Sequence, residues 1–541
     1  MPGRPRGPTS VFPVRSSEPG LRKSGPSTVV NPSGGNEVPQ SRAKHDEPIW
    51  VPRLLDVGLR RKPDDLALVG PEGSLSWQEL ERASKRYSAG LLAYGLKPGD
   101  RIASLMPNSA ALMIHYLGCL KSGIVAVPLN YRYTPPEIDH GLKTSGARAL
   151  LAHVDRQEDI ASSVARDLPL GVINYGSEHD RHSNFATLLE SPIASEISLM
   201  PAPTDPAVIF FTSGSTGLAK GVAHSFESLG NMIASFAQGC QTAADDIVLL
   251  SGSMSHIGAL LDALMGLAAG ARVVVPPSCD GPGLLLMLRE HRPTILIALP
   301  SVLFGLVRAK NARREDFSSF RLLCAGGDKV PLELALEVTA LSGLSVNELY
   351  GMSEIGVATI NPPDGLNKAG SIGRQIVGYE ISIRDDNGNE LPPGAQGRLW
   401  INSPCNMVGY WGDADATRAT IRDGWLDTGD VMKIDEDGYL WFCGRRKQII
   451  VHDGSNISPQ DVEEALMRHP AVAIAGVVGV PDTVHGENVH AFVTFKPGAA
   501  QPAPQELIHF ARASVGYKAP ESVFLLDEMP LSATDKVDRV C

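Results

Sequence analysis

From residue 50 onward, stretches with helical spacing of apolar residues alternate with short apolar runs of strand length, and this alternation confines the chain to parallel sheets covered by helices. Residues 76–94 place Leu80, Ala83, Tyr87, Leu91 and Leu92 three or four apart with charges between them. Ser76, followed by Glu79 three positions on, predicts where that helix starts. Residues 109–120 are also read as helix, and strands are predicted at 101–105, 125–129, 149–152, 208–211, 247–251, 272–275, 294–298 and 321–324. After about residue 378 the character changes. Short strand-like runs at 380–384, 397–402, 430–434 and 439–443, punctuated by Asp386-Asn387-Gly388 and Asp437-Gly438, predict a small β-rich subdomain. Beyond Lys447 the order strand (448–451), helix (458–468), strands (472–480, 489–495), helix (504–514), strand (522–526) predicts a compact α+β unit.

At 541 residues the chain exceeds what one hydrophobic core organises. The expectation is an α/β protein with a large N-terminal domain over 46–447, made of two helix-covered sheets plus the β-rich subdomain, and a small, mobile α+β domain over 448–541. Residues 1–45 are rich in Pro, Gly, Ser and Arg, with Glu18 and Glu37 as their acids through residue 45, and are read as a disordered extension. Their prolines oppose the amphipathic helix that an organelle-targeting peptide needs. A net charge of −11 argues against nucleic acid as a partner, because such affinity rests on neutralising phosphates. Seven scattered cysteines without a C-x-x-C pair predict a reducing, cytoplasmic location and no structural zinc. No apolar run reaches the 18 or so residues of a transmembrane segment.

The chemistry starts at 210–221, Phe-Phe-Thr-Ser-Gly-Ser-Thr-Gly-Leu-Ala-Lys-Gly, directly after a strand-like run. Glycines let the backbone approach an anion, amides and hydroxyls donate to phosphoryl oxygens, and a lysine supplies the compensating charge. The spacing is not that of a P-loop NTPase, since Lys220 is followed by Gly221 where a magnesium-binding hydroxyl would stand. A mobile Ser/Gly surface turn is the plain alternative for such a string taken alone.

Further segments then follow in order: Ser255-His256-Ile257-Gly258, Ala325-Gly326-Gly327-Asp328, Leu349-Tyr350-Gly351-Met352-Ser353-Glu354, Gly424 to Asp430 (GWLDTGD), Gly444-Arg445-Arg446-Lys447, and Pro530 to Arg539 (PLSATDKVDR). With the 210–221 loop, this set resembles the signature motifs of the adenylate-forming superfamily, whose members include acyl-CoA synthetases, peptide-synthetase adenylation domains and luciferases. The resemblance covers roughly residues 50–540.

The resemblance implies an ATP-dependent carboxylate–CoA ligase that makes acyl-AMP and then an acyl thioester, with ATP, Mg2+ and coenzyme A as cofactors and co-substrates. By this likeness Thr212, Ser213, Gly214, Ser215, Thr216, Gly217 and Lys220 hold the β- and γ-phosphates. Gly326, Gly327, Tyr350 and Gly351 bracket adenine, Ser353 touches the α-phosphate, and Glu354 binds the metal. Asp430 accepts from the ribose with Arg445 nearby, and Lys536 is the catalytic lysine of adenylation. His256 gates an acyl pocket made with Ile257, Gly258, Met352, Ile355 and Val357, whose apolar character implies a hydrophobic alkyl or aryl acid. Lys447 marks the hinge of a domain alternation that carries the hairpin near Gly454 to a CoA tunnel.

Several positions depart from the family pattern. Ala219 replaces a proline, Phe226 stands where many relatives carry a second histidine, Asp453 and Ser455 alter a G-G-E-N hairpin, and Asp535 replaces the glycine beside Lys536. A stand-alone adenylation enzyme that loads a carrier protein is the main rival reading. The Asp535 change keeps a catalytically weak, regulatory nucleotide binder in view. A homodimer is left open, and the identity of the acid is not legible.

Overall fold

The computed structural model describes residues 49–176, 184–193, 200–212, 219–445, 448–452, 455–482, 484–531 and 537–539. Two large sheets form the body. The first has nine strands in the order Arg374–Gln375, Gly356–Ile360, Asn347–Met352, Leu322–Ala325, Ile295–Ala298, Ile247–Leu249, Arg272–Val274, Leu66–Gly70, Gly73–Ser76. It is parallel from Asn347–Met352 to Leu66–Gly70 and antiparallel only at its two ends. The second has seven strands in the order Gly409–Tyr410, Lys220–Ser225, Pro206–Thr212, Val125–Pro128, Arg101–Leu105, Ala149–His153, Val172–Tyr175.

Four helices share one apolar core with both sheets: Trp77–Ala93, Ala110–Ser122, Phe226–Gly239 and Ile257–Ala269. Every residue of Ala110–Ser122 is buried, so this helix has no solvent face and its sequence is apolar nearly all round. Separate apolar clusters under Gly281–His291, Pro300–Val307 and Leu332–Ser342 and under Pro135–Ser145 cover the remaining face of each sheet. Buried on both faces, the central strands read as near-continuous apolar runs. The predicted helix start at Ser76 is present as a reciprocal cap, in which the Ser76 hydroxyl accepts from the Glu79 amide and the Glu79 carboxylate from the Ser76 amide.

The β-rich subdomain is an antiparallel sheet of Glu380–Arg384, Gly397–Asn402, Trp425–Ile434, Ile421–Arg422 and Leu440–Arg445. The small C-terminal domain has its own core between a five-stranded sheet and the helices Pro459–Met467 and Pro504–Val515. Among the described residues, no helix is long and apolar enough to cross a membrane.

Candidate active site

The strand entering the proposed phosphate loop does not lead into a helix. Pro206–Thr212 and Lys220–Ser225 pair antiparallel with Thr212 opposite Lys220, so the loop joins two strands of a hairpin. In a P-loop the corresponding strand leads instead into a helix whose N-terminus meets the phosphate. Ser213, Gly214, Ser215, Thr216 and Gly217 lie outside the described residues. Lys220 is exposed, with its Nζ 4.8 Å from the centre of the Tyr410 ring.

Tyr410 links that lysine to the expected metal ligand. Its strand, Gly409–Tyr410, pairs with Lys220–Ser225, and its hydroxyl donates to Glu354 Oε1 at 2.9 Å. Glu354 is 7 % exposed, and burial raises its carboxyl above the usual carboxylate range even though Tyr410 works the other way. Arg445 also lowers it, without a salt bridge to Glu354 among the described residues, yet burial still prevails, so a metal ion beside the carboxylate would offset part of that cost. One carboxylate completed by substrate phosphates is a coordination that Mg2+ accepts.

The turn that holds Glu354 is clasped from two sides. The Glu354 carbonyl accepts from the Met407 amide at 2.7 Å, and the Ser353 carbonyl accepts from His224 Nε2 at 2.7 Å. His224 is wholly buried, which pushes its imidazole down to about 4. It is therefore neutral, with Nε2–H as donor and Nδ1 free to accept from the Ser228 hydroxyl 3.3 Å away.

On the nucleotide side, Asp430 is 1 % exposed and accepts from the Tyr350 hydroxyl at 2.7 Å and from Arg445 Nε at 2.9 Å. Asp430 and Arg445 face each other across neighbouring strands, and the nearby Asp430 raises the Arg445 guanidinium further. Burial, then Asp430, hold the Tyr350 phenol well above its ordinary range. Gly326 and Gly327 are glycines for space: a Cβ at Gly326 would lie 2.3 Å from Leu349 Cδ1, and Gly327 has φ +81°. At Gly351 an added Cβ would meet the Gly356 carbonyl at 2.3 Å.

His256 caps the helix Ile257–Ala269, and Asn130 Nδ2 donates to its Nε2 at 3.0 Å. Asn108 braces the preceding loop by donating to the Gly252 carbonyl and accepting from the Met254 amide. Gly258 is exposed, and a Cβ there would meet nothing within 4 Å, so the start of this helix borders open space. Ile257 and Met352 are half-buried at the edge of the main core, whereas Ile355 is 0 % and Val357 8 % exposed within it. Lys447, Gly454, Asp535 and Lys536 lie outside the described residues.

The structure thus ties Lys220 to Glu354 through Tyr410, Ser353 to the hairpin through His224, and Tyr350 and Arg445 to Asp430. Sequence reasoning missed His224, Tyr410 and Asn130. Only His224 left a trace, two residues before the Phe226 position where a second histidine was sought.

Lys220, Tyr410 and Glu354 on one side, and Tyr350, Asp430 and Arg445 on the other, make up the candidate site. The AMP-binding enzyme model matches residues 55–411, and the AMP-binding enzyme C-terminal domain model matches 461–536. The chain belongs to this AMP-binding enzyme family, within the adenylate-forming superfamily. It is 33% identical over 495 residues to the fatty acid–[acyl-carrier-protein] ligase ScoC of Streptomyces coeruleorubidus, covering 89% of this chain and 93% of the relative. It is 31% identical to a feruloyl-CoA synthase of an Amycolatopsis species, covering 88% and 95%. Among solved structures, ATP-bound MatB from Rhodopseudomonas palustris superposes with a TM-score of 0.83 at 27% identity, covering 90% of this chain and 97% of that one. A benzoate CoA ligase from Burkholderia xenovorans LB400 gives 0.82 at 26%, covering 91% and 98%.

Proposed function

We propose that this protein is an ATP-dependent acid–thiol ligase that activates a hydrophobic alkyl or aryl carboxylic acid as acyl-AMP and transfers the acyl group to coenzyme A. The observation that carries the reading is the buried Glu354, linked through Tyr410 to Lys220 beside the expected phosphate loop. A carboxylate is a poor electrophile, and joining it to AMP supplies a good leaving group. The acid oxygen attacks the α-phosphorus and pyrophosphate departs; the CoA thiol then attacks the acyl carbon and AMP departs.

Holding both reactants in place contributes up to about 7–11 kcal/mol in favourable cases. Thr212 and Lys220 flank the loop that receives the triphosphate, and Glu354 would hold Mg2+. That ion would neutralise charge on the phosphates as pyrophosphate leaves. Tyr410 and His224 fix the Ser353-Glu354 turn so that little reorganisation is needed when the charge develops. Tyr350, Asp430 and Arg445 form the nucleotide wall, His256 and Asn130 stand at the acyl entrance, and Lys536 is assigned to the adenylation step with Lys447 as hinge between 46–447 and 448–541.

Transfer to a carrier-protein thiol is the second reading, favoured by the likeness to ScoC. One panel separates them: acid-dependent pyrophosphate release and thioester yield, with fatty, aryl and short acids, against CoA and against a holo carrier protein. Thioester formed only on the carrier overturns the CoA assignment, and no acid-dependent pyrophosphate release overturns both. The reading suits a cytoplasmic enzyme, with six free cysteines among the described residues. Light scattering in solution distinguishes a monomer from a homodimer.

A further inference from the structure

In the small domain an ion pair sits where burial disfavours charge. Glu463, on the helix Pro459–Met467, is 6 % exposed. Arg539 donates to it from Nη2, at 2.7 Å to Oε1 and 2.8 Å to Oε2, and from Nε at 3.2 Å to Oε1. Oε1 also accepts at 2.8 Å from the amide of Val477, on Val472–Asp482, which ends the small sheet. Replacing such a buried pair by apolar groups is often neutral or stabilising, so what it supplies here is geometry more than stability.

The geometry it fixes is that of the end of the chain. Leu531 and Val537 form an antiparallel bridge, and the Asp538 amide donates to the Pro530 carbonyl at 2.9 Å, so the chain on either side of residues 532–536 is drawn together. Val537 lies against Gly476, where an added Cβ would meet Val537 Cγ1 at 2.8 Å. Arg539, two residues on, ties this segment to Glu463, and Lys536 directly precedes Val537. The same helix faces the body. Its Asp461 and Glu464 pair with Lys329, and the charge of Asp328 reaches Glu463. Asp328 and Lys329 follow directly on Gly326-Gly327, so one short helix joins the expected adenine segment to the backbone beside Lys536.

We propose that Glu463 is a positioning residue for the adenylation half-reaction: by holding Arg539 it sets where Lys536 stands relative to the nucleotide, and it has no part in the thioester half. The inference rests on the ligase reading and on its assignment of Lys536 to adenylation. A lysine is a point charge on a flexible four-carbon stem, so its backbone has to be placed for it. A reacting group displaced by about 1 Å loses about 100-fold in rate, and a slackened anchor three residues away therefore costs rate rather than nucleotide affinity.

The test is a double-mutant cycle read by single-turnover kinetics of each half-reaction. Glu463→Gln, which keeps shape and loses charge, lowers the maximal rate of acyl-AMP formation by roughly tenfold or more and leaves KM for ATP within about twofold. Thioester formation from supplied acyl-AMP and CoA stays near normal. In a Lys536→Ala background the same substitution costs nothing further, because the group it positions is gone. Arg539→Lys keeps the charge but loses the planar fork, gives a smaller loss confined to the same half, and carries the test where Glu463→Gln does not fold. An unchanged adenylation rate, equal losses in both halves, or losses that multiply in the double variant overturn the assignment and leave the ligase reading standing. Absence of acid-dependent pyrophosphate release from the parent enzyme removes both.

Discussion

The body and the C-terminal domain cohere by different forces from those that join them. Within the body, one apolar cluster runs from Val51 to Leu440 through both large sheets, and the C-terminal domain has a separate cluster from Ile450 to Val523. Among the described residues, three ion pairs cross between the two. Lys329, two residues past Gly327, pairs with Glu464 at 2.7 Å and Asp461 at 3.3 Å, and Lys496 pairs with Glu333 at 2.8 Å. Such partly exposed pairs are worth about 0–1 kcal/mol each and are screened by salt, so the contact is cheap to break while each core stays intact. This contrast would serve the proposed alternation, in which two surfaces of the small domain are presented to one site in turn.

The contrast can be broken first at the body. Glu354→Gln keeps shape and removes charge, so acyl-AMP formation falls by about 100- to 1000-fold with an unchanged circular dichroism spectrum. A parental rate and Mg2+ dependence in that variant would show that the ion is held elsewhere.

Next comes the split between half-reactions. Lys536→Ala lowers adenylation by about 100-fold while thioester formation from supplied acyl-AMP stays near normal; Lys447→Pro, which fixes φ and removes an amide, does the reverse. Single-turnover kinetics of each half checks this, and equal losses in both halves would mean that the two units work as one.

Acid sharpens the comparison by striking the body. His224 titrates at about 4 in the fold against about 6.5 when unfolded, so its neutral form contributes stability that is complete above pH 6.5 and is lost as pH falls through 4. The expected loss is about 3 kcal/mol. His224→Gln flattens the pH dependence of the melting midpoint over this window, and an unchanged slope would place the acid sensitivity in another group.

Smaller still is the joint. Lys329→Ala with Lys496→Ala changes either half-reaction by no more than about fivefold, and raising salt reproduces the effect in the parent. Protease susceptibility at 446–454 follows the same trend, and salt-independent rates would mean that apolar contacts hold the domains. Deletion of residues 1–45, which contain none of the motifs, has the least effect: turnover within about twofold, assayed beside the parent enzyme.

Much of the layering was legible because alternating patterns report burial directly. The runs 101–105, 380–384 and 397–402 are strands with the predicted limits, and the predicted 109–120 helix is Ala110–Ser122. Lys220–Ser225 was not assigned, because Lys220 and Gly221 read as loop and its partner strand lies across that loop. The 430–434 run proves to be the end of Trp425–Ile434, whose irregular register at Gly429, with φ +74°, disguised a single long strand as a turn. Tyr410 and His224 act on partners 56 and 129 residues away, a pairing that no local pattern encodes.

The nine-stranded sheet also sets a timetable. Leu68 sits beside Val273, so the hairpin of Leu66–Gly70 and Gly73–Ser76 must wait for about 200 further residues before its neighbour exists. At typical synthesis rates that delay is roughly 10–40 s, long against the folding of a local hairpin. During it the apolar Leu-Ala-Leu-Val run has no parallel partner, while the seven-stranded sheet acquires Arg101–Leu105 to Lys220–Ser225 in sequence. On the ribosome, therefore, six of the seven strands of the second sheet exist before Leu66–Gly70 meets its parallel neighbour, and the seventh, Gly409–Tyr410, is made only after every strand of the first sheet.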